Sequence, residues 1–329
     1  MGSEEPAAPP APAAAATSTA AAATDEQPPW TIVWCFDGWH PLRRRLEALL
    51  PPWARLRPLD PSRPLHEQVA DAQVLIPTTG AVDDAAIAAA RDLRLIAQPA
   101  AGYANIDTAA AAARGVPVTI APGYNSHSTS EAALLLMLML ARRVDEARAA
   151  FGARVIGDPV GMELRGKTLG IVGPGRVGGA LAAAARGLGM RVVAAGSKSP
   201  RAELESLLRD SDVVSLHAAS TPATRRMVGA AELALMRPGA LLINTARGEL
   251  IDHAALLAAL RAGRLGGVGL DVHDPEPADP GSELYRHPKV LALPHTGAAT
   301  EEVYDRFAQV LLHNICAARE GRELRHRLC

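Results

Sequence analysis

Short apolar runs alternate with longer segments of helical periodicity from Trp30 to the end of the chain. The runs predict strands and the segments between them predict helices, an alternation that is typical of parallel sheets. In the first part of the chain we expect strands over residues 31–36, 72–76, 93–98 and 116–120, and helices over residues 41–50 and 85–92.

A long, strongly apolar helix is predicted to begin at Ser130 and Glu131 and to end at Arg142 and Arg143. Basic residues in a last turn are favoured by the helix dipole. A second series of strands is predicted over residues 168–172, 191–195, 212–216, 240–244, 267–272 and 290–293. The whole pattern predicts an α/β fold with two parallel-sheet units joined by the long helix.

Residues 1–28 form a segment rich in Ala and Pro that contains acidic residues but no Lys or Arg. This composition predicts a disordered tail. A secretory signal needs a basic start and a longer apolar stretch, and transit peptides are Arg-rich and poor in acidic residues. We therefore expect a cytoplasmic protein, with an organelle transit peptide as the alternative.

The charge of the chain is nearly balanced, with 34 Lys and Arg against 35 Asp and Glu, and the length of 329 residues suits about two domains. No basic excess is present that would favour nucleic acid or an anionic membrane as a partner. The longest uncharged apolar run, residues 132–141, is too short to span a bilayer. The spacing of Cys35, Cys316 and Cys329 predicts neither a disulfide framework nor a metal site.

Three glycines follow the strand predicted at residues 168–172 in the spacing Gly-x-Gly-x-x-Gly. Gly173 would permit a tight turn, Gly175 would let backbone N–H groups approach a pyrophosphate, and Gly178 would let helix and strand pack closely. The N-terminus of the following helix favours phosphate. Such turns also occur without a ligand, but the position between a strand and a helix favours dinucleotide binding.

The next strand ends in Gly196-Ser197-Lys198-Ser199, where a carboxylate would bind the ribose 2′-hydroxyl of NAD. No carboxylate is present. Small residues, hydroxyl groups and Lys198 would instead accommodate a 2′-phosphate, which predicts that NADP(H) is preferred and NAD(H) possible. The alternative is that Lys198 is an ordinary solvated lysine.

Charged side chains follow the last three predicted strands at their carboxyl ends, where ligands of such sheets bind. Arg247 follows the first of these strands, Asp271 and Glu276 follow the second, and His295 follows the third. An arginine can hold a carboxylate bidentately, and a histidine beside a carboxylate can exchange a proton near neutral pH. Each residue alone is more often a surface or loop residue, but the set behind a phosphate-binding turn predicts reduction of a 2-oxo acid.

With these motifs the chain resembles the D-isomer-specific 2-hydroxyacid dehydrogenases, in their glyoxylate/hydroxypyruvate reductase-like branch. The resemblance extends over about residues 30 to 325. The matching segments are residues 101–107, Asn125, Ser130 with Glu131, and residues 173–178, 211–217, 244–248, 271–277 and 294–295.

The resemblance implies that Arg247 binds the substrate carboxylate together with backbone N–H groups at Ala101 and Gly102. It implies that His295 is the general acid in reduction and the general base in oxidation. Glu276 would orient the His295 ring and favour its protonated form. The implied cofactor-binding residues are Gly173, Gly175, Arg176, Val177, Gly178, Ser197, Lys198, His217, Thr245, Asp271 and Gly297.

The resemblance also implies two Rossmann-like/flavodoxin-like parallel-sheet domains with a cleft between them that holds the active site. It further implies a discontinuous domain division and a homodimer. A substrate domain would comprise residues 29–126 and be completed by residues 297–329, with a dinucleotide-binding Rossmann domain over residues 127–296. Only residues 197–211 separate Gly196 from Asp212, enough for one helix where the family usually has more elements, so we expect a reduced wall on the adenine side.

Two single residues also depart from the family pattern. Pro174 replaces a large apolar residue in the glycine turn, and His273 stands where an aromatic is usual. Two alternatives stay open: a phosphoglycerate dehydrogenase-type enzyme, and a non-catalytic, dinucleotide-sensing scaffold of the corepressor type.

Overall fold

Two separate parallel sheets form in the chain, each with an apolar core on both of its faces. The computed structural model describes residues 28–329, so the tail predicted for residues 1–28 lies outside the described residues except for Pro28. No helix within residues 28–329 combines the length and the apolar character needed to cross a membrane. The two α/β domains expected from the sequence are therefore present.

The first sheet has five strands in the spatial order β2-β1-β3-β4-β5, the order of flavodoxin-like folds. Its strands are β1 (Trp30–Trp34), β2 (Ala54–Pro58), β3 (Ala72–Ile76), β4 (Leu95–Ala97) and β5 (Val118–Thr119), and its helices are α1 (His40–Leu49), α2 (Asp84–Ala89) and α3 (Thr108–Ala113). Along β1, Ile32 and Trp34 face one core while Val33 faces the other. A strand buried on both faces reads as a continuous apolar run, which is why β1 is visible in the sequence.

Strand β2 is absent from the sequence-based prediction, which was wrong there. It lies at the edge of the sheet and carries Arg55 and Arg57 among its few apolar residues. Arg57 forms an ion pair with Asp71 at 2.8 Å. Charged side chains are common on edge strands because they protect the exposed edge, and they also remove the apolar run that would indicate a strand.

The last long helix of the chain, α11 (Glu301–Glu320), returns to the first sheet. Its residues Phe307, Leu311 and Ile315 share one apolar core with Trp34 of β1. Residues after α11 continue along the edge of this sheet, where Leu328 N donates to Val118 O at 2.7 Å. The C-terminal segment thus packs with the first sheet, while the stated domain boundaries stay predictions.

The second sheet has six parallel strands in the spatial order β11-β10-β9-β8-β6-β7. Its strands are β6 (Thr168–Val172), β7 (Arg191–Ala195), β8 (Val213–Leu216), β9 (Leu241–Asn244), β10 (Gly267–Leu270) and β11 (Val290–Ala292). Its helices are α4 (Ser126–Ala141), α5 (Val144–Gly152), α6 (Arg176–Gly187), α7 (Arg201–Asp210), α8 (Ala230–Leu235), α9 (His253–Arg261) and α10 (Glu283–Arg286). From β6 the chain first adds β7 on one side and then crosses back to add β8 on the other side of β6. The ligand crevice of this fold therefore lies at the carboxyl ends of β6 and β8.

A single helix, α7, connects β7 to β8, which confirms the prediction from the short interval. Strand β7 is consequently the edge of the sheet. Arg201 at the start of α7 forms an ion pair with Glu232 of α8. This pair ties α7 to α8 beside the shortened edge of the sheet.

Helix α4 begins at Ser126, four residues before the predicted start at Ser130, so that prediction was wrong. Hydroxyl groups in its first turns form hydrogen bonds: Ser128 Oγ donates to Gly297 O at 2.8 Å, and Ser130 Oγ donates to His127 O at 2.7 Å. Polar residues therefore extend the helix toward the loop at Gly297. Sequence periodicity could not indicate this, because the partner lies far along the chain.

Candidate active site

The glycine-rich turn after β6 has the geometry that a bound pyrophosphate requires. Gly173 has φ +91°, and a Cβ there would lie 2.7 Å from Ala218 N. A Cβ at Gly178 would lie 2.7 Å from Gly173 O, so close packing of α6 on β6 also needs glycine. Gly175, by contrast, faces open space, with no heavy atom within 4 Å of a Cβ. The turn thus combines two sterically required glycines with one that leaves room for a ligand.

The carboxyl ends of β9 and β10 place a second group of predicted cofactor residues together. Asp271 is buried, and its carboxylate accepts backbone N–H bonds from Thr296 at 2.7 Å and Gly297 at 2.8 Å. Burial raises the pKa of Asp271, which these two bonds partly offset. The buried hydroxyl of Thr245 has no hydrogen-bond partner within residues 28–329. An orphaned hydroxyl beside this crevice fits the polar amide of a nicotinamide.

His217 lies at the end of β8, where its Nε2 is 2.9 Å from Ser215 Oγ. Burial lowers the pKa of His217 to about 4, so the ring is neutral at physiological pH. A neutral imidazole can pack beside a dinucleotide without adding charge to the crevice. Its predicted contact with the cofactor stays a prediction.

Other predicted cofactor residues lie at the rim of the crevice. The Arg176 side chain, at the start of α6, contacts Gly123, where a Cβ would lie 3.1 Å from Arg176 Cδ. The neighbouring Val177 is half-buried. Ser197 and Lys198 are exposed after β7. Sequence and structure thus agree that no carboxylate occupies the loop at the end of β7.

Arg247 is held by the side chain of Asn244, the last residue of β9. Asn244 Nδ2 donates to Arg247 O at 2.8 Å, and Asn244 Oδ1 accepts from Ala246 N at 3.0 Å. From this turn the guanidinium reaches Gly102 in the other domain, where a Cβ would overlap it. Burial lowers the pKa of Arg247, against the charges of Glu276 and Glu249 that favour the cation.

The loop of Ala101 and Gly102 presents free backbone donors beside Arg247. The buried side chain of Gln98 fixes this loop by donating from Nε2 to Gly102 O and to Thr78 O, both at 2.8 Å. Neither the Ala101 nor the Gly102 N–H has an acceptor in the described part of the chain. Sequence reasoning missed Gln98, whose only signal is a polar residue directly after a buried strand.

Glu276 and His295 form a close pair in which His295 Nδ1 lies 2.8 Å from Glu276 Oε2. Each side chain is 22% exposed. The second oxygen of Glu276 accepts the His273 N–H at 2.9 Å. Burial opposes ionisation of Glu276, but the hydrogen bond and charge of His295, with the His273 N–H, hold the pKa of Glu276 below its usual value. Nε2 of His295 has no partner within residues 28–329, which leaves it available to a substrate.

His295 adopts φ +54°, a left-handed conformation that costs a non-glycine residue roughly 1–3 kcal/mol. Two contacts hold the turn: His295 N donates to Leu293 O at 3.0 Å, and the next residue, Thr296, donates to Asp271. Strained residues of this kind are concentrated where surrounding structure fixes a functional side chain. The strain here sets the direction in which the imidazole points.

Trp39, which sequence reasoning missed, covers the His295 ring from the other domain. The two rings are 5.6 Å apart between centroids with an interplanar angle of 72°. Trp39 lies in the loop after β1 and has φ +56°, and Trp34 Nε1 donates to Gly38 O of the same loop at 3.0 Å. The one sequence signal for Trp39 is that it follows β1. The strand order of the first sheet reverses beside β1, and ligands of such sheets bind at that point.

The site thus lies in the cleft between the sheets, with residues from both domains. The glycine turn and the orphaned hydroxyl fit a dinucleotide, and the carboxylate–imidazole pair fits proton exchange with a carbonyl or alcohol. Together with the fold, this defines the class of protein as a nicotinamide-dependent dehydrogenase.

Comparison with known proteins gives the family. Residues 134–297 match the model of the D-isomer specific 2-hydroxyacid dehydrogenase NAD binding domain. A glyoxylate reductase of Thermococcus litoralis is 40% identical over 286 residues, which cover 80% of this chain and 86% of that protein. The chain belongs to the D-isomer-specific 2-hydroxyacid dehydrogenase family, in its glyoxylate reductase branch, and is an NAD(P)-dependent enzyme of that family.

Solved structures agree with this assignment. The TT0316 protein of Thermus thermophilus is 38% identical with a TM-score of 0.80, over 91% of this chain and 99% of that one. A glyoxylate reductase from Paecilomyes thermophila is 30% identical with a TM-score of 0.77, over 92% and 99% of the two chains.

The contact between Gly102 and Arg247 generates a prediction. Gly102→Ala introduces a Cβ where the guanidinium lies, so kcat/KM for a 2-oxo acid should fall roughly 100-fold, as displacement of a positioning group does. The dissociation constant of the dinucleotide, measured by fluorescence titration, should change less than twofold. Gly187→Ala is the matched control, because a Cβ there meets open space in the last turn of α6. Equal kcat/KM in Gly102→Ala and wild type would contradict the proposed position of the substrate carboxylate.

Proposed function

We propose that the protein reduces glyoxylate or hydroxypyruvate to the corresponding 2-hydroxy acid, of the D series where the product is chiral. The observation that carries this proposal is the meeting of Arg247 with the Ala101–Gly102 loop in the cleft that also holds the Glu276–His295 pair. The charge of Glu276 acts on both Arg247 and His295, so the clamp and the acid–base pair belong to one site. A non-catalytic scaffold would not need all three side chains.

Arg247 binds the substrate carboxylate in this proposal. Its guanidinium offers a planar pair of donors, and the free N–H groups of Ala101 and Gly102 supply further donors on the same side. Because the guanidinium is buried, its interaction with a carboxylate is stronger than the same contact in water. Fixing the carboxylate also fixes the adjacent carbonyl relative to His295.

His295 exchanges the proton. The dinucleotide, when bound, supplies or accepts hydride. During reduction, Nε2–H of His295 donates its proton to the oxygen that develops negative charge, while Glu276 stabilises the cationic ring through Nδ1. In the opposite direction, neutral His295 takes the proton from the hydroxyl group.

The preference for a small substrate is supported by Trp39. Its indole lies edge to face against the His295 ring and takes up space beside the imidazole. Both the Thermococcus litoralis and Paecilomyes thermophila relatives are named glyoxylate reductases. These observations favour a two- or three-carbon 2-oxo acid over one with a bulky side chain.

A homodimer is also proposed, and the expected cytoplasmic location stays a prediction. The segment from the end of α5 to β6 exposes large apolar side chains to an extent unusual for a monomer surface: Phe151 is 85%, Ile156 98% and Val160 78% exposed. A second copy of the chain would cover them. Small-molecule acids are the other partners we propose, with neither nucleic acid nor membrane.

Removing the imidazole tests the chemistry. His295→Ala should lower kcat for glyoxylate and hydroxypyruvate by roughly 10²–10⁴-fold, the usual contribution of a positioned acid. Dinucleotide affinity should stay within twofold, since the ring serves the proton and not the cofactor. His326→Ala, a histidine far along the C-terminal segment, is the control and should retain wild-type turnover. Near-full turnover in His295→Ala would overturn the mechanism, and no turnover by wild type with either acid would overturn the substrate assignment.

We further propose that NADPH is the preferred reductant. Gly196 and Ser197 leave the end of β7 free of negative charge, and exposed Lys198 can pair with a 2′-phosphate. A contact of this charge-assisted kind contributes on the order of 1.5–3 kcal/mol, equivalent to about 10- to 100-fold in affinity. The open edge at β7 leaves this loop as the main candidate for adenosine-side selectivity.

The measurement is kcat/KM for NADPH and NADH in wild type and Lys198→Ala. Wild type should favour NADPH about 10- to 100-fold. In Lys198→Ala, kcat/KM for NADPH should fall and remove most of this preference, while kcat/KM for NADH should stay unchanged. Lys167→Ala, which precedes β6 at the opposite end of the sheet, is the matched control. Equal or better use of NADH by wild type would contradict the preference. A ratio that survives in Lys198→Ala would show that Lys198 is not its cause.

A further inference from the structure

His273 lies directly behind the Glu276–His295 pair, and both nitrogens of its ring are engaged. Nδ1 is 2.8 Å from the hydroxyl of Tyr285 on α10, and Nε2 is 2.8 Å from Leu293 O. The His273 and Tyr285 rings also meet edge to face, with centroids 5.0 Å apart and an interplanar angle of 78°. A residue in a loop is thereby fixed at three points.

The hydrogen-bond partners determine which ring nitrogen carries the proton. A carbonyl oxygen only accepts, so Nε2 of His273 must donate to Leu293 O. In the neutral ring Nδ1 then accepts from the Tyr285 hydroxyl. Burial, with the charges of Glu276 and Asp274, raises the pKa of Tyr285 to about 12, so this hydroxyl remains a donor. Other titratable groups near the ring are His253, Asp274, Glu276 and His295.

The carbonyl that His273 binds is the one that shapes the turn of His295. Leu293 O accepts both Nε2–H of His273 and the backbone N–H of His295, the latter at 3.0 Å. A carbonyl has two lone pairs, so both bonds can form together. The ring of His273 is therefore connected to the left-handed turn that directs the catalytic imidazole.

The backbone of His273 supports the other two parts of the site. Its N–H donates to Glu276 Oε1 at 2.9 Å, on the side of the carboxylate away from His295. Its carbonyl lies against Gly248, next to Arg247, so closely that a Cβ at Gly248 would overlap it. One residue thus contacts the segments that carry Arg247, Glu276 and His295.

We propose that His273 is a positioning residue that holds the Glu276 loop and the His295 turn in register through its bond to Leu293 O, with Tyr285 fixing the ring. The proposal rests on the function assigned to the Glu276–His295 pair. An aromatic ring at this position could fill the same space but could not bind the carbonyl. The ring nitrogens therefore add an orientation that packing alone does not supply.

The test compares variants that separate packing from hydrogen bonding. His273→Phe keeps a ring and removes both bonds, His273→Gln retains an amide donor near the position of Nε2, and Tyr285→Phe removes only the hydroxyl. His326→Phe is the matched control, because His326 forms a similar edge-to-face pair with Tyr124, at a centroid distance of 5.6 Å, in the C-terminal segment after α11. Each variant is measured for kcat, KM, dinucleotide affinity and thermal stability.

His273→Phe should lower kcat about tenfold with little change in dinucleotide affinity, because a small misplacement of the acid is costly. His273→Gln should recover most of the lost kcat, and Tyr285→Phe should show a smaller loss. A kcat within about twofold of wild type in His273→Phe would overturn the proposal, as would equal losses in His326→Phe.

A second readout does not depend on turnover. The proton on Nδ1 of His295 that faces Glu276 should give a downfield ¹H resonance, assigned by its absence from His295→Ala. This resonance should shift or broaden in His273→Phe and stay unchanged in His326→Phe. This readout is independent of the substrate assignment. An unshifted resonance in His273→Phe would overturn the positioning role, and a shifted one would support it, whichever substrate the enzyme reduces.

Discussion

The hydrogen bond between Glu276 and His295 is the interaction on which the rest of the site depends. It joins two half-buried groups, and the hydrogen bond and charge of His295, with the His273 N–H, outweigh the cost of burial and hold the pKa of Glu276 below its usual value. The imidazole in turn points into the cleft because its backbone is held in a left-handed turn. If the hydrogen bond is lost, the carboxylate no longer orients the ring.

Close backbone approaches constrain the other parts of the site in the same way. Gly102 allows the Arg247 guanidinium to lie against the loop of the first domain. Gly248, the residue after Arg247, lies directly against the backbone of His273. Gly297 approaches the carboxylate of Asp271, where a Cβ would lie 2.7 Å from Oδ2. At Gly102 and Gly297 a larger residue would displace a charged side chain, and at Gly248 it would displace the backbone of His273. The glycines thus fix distances between groups that arrive from different strands.

Sequence reasoning succeeded where the signal is local. Strands buried on both faces are continuous apolar runs, and Arg247, Glu276 and His295 each follow such a run directly, so their convergence on one edge follows from parallel pairing. It failed where structure depends on distant partners. Strand β2 is stabilised as an edge with charged side chains, and the first turn of α4 is stabilised by the loop at Gly297. The roles that the sequence suggests for single residues stay predictions.

Trp39 and Gln98 show the limit most clearly. Neither belongs to a motif, and their relevance arises only because the first sheet brings the ends of β1 and β4 toward the second domain. His273 was visible as a departure from the family pattern, but its effect depends on Leu293 and Tyr285, whose positions no local pattern encodes. Chemistry at strand ends is thus readable from sequence, while the contacts that orient it need the fold.

The central claim is that the Glu276 carboxylate orients His295 for delivery of a proton to the substrate oxygen. The most direct test is kcat for glyoxylate reduction in wild type and Glu276→Gln, with dinucleotide affinity as the control. The glutamine keeps the size of the side chain but removes the carboxylate that binds Nδ1 and stabilises the cationic ring. The account predicts that kcat falls roughly 100-fold, at the lower end of what a positioned acid contributes, while dinucleotide affinity is retained. An unchanged kcat in Glu276→Gln would contradict the account.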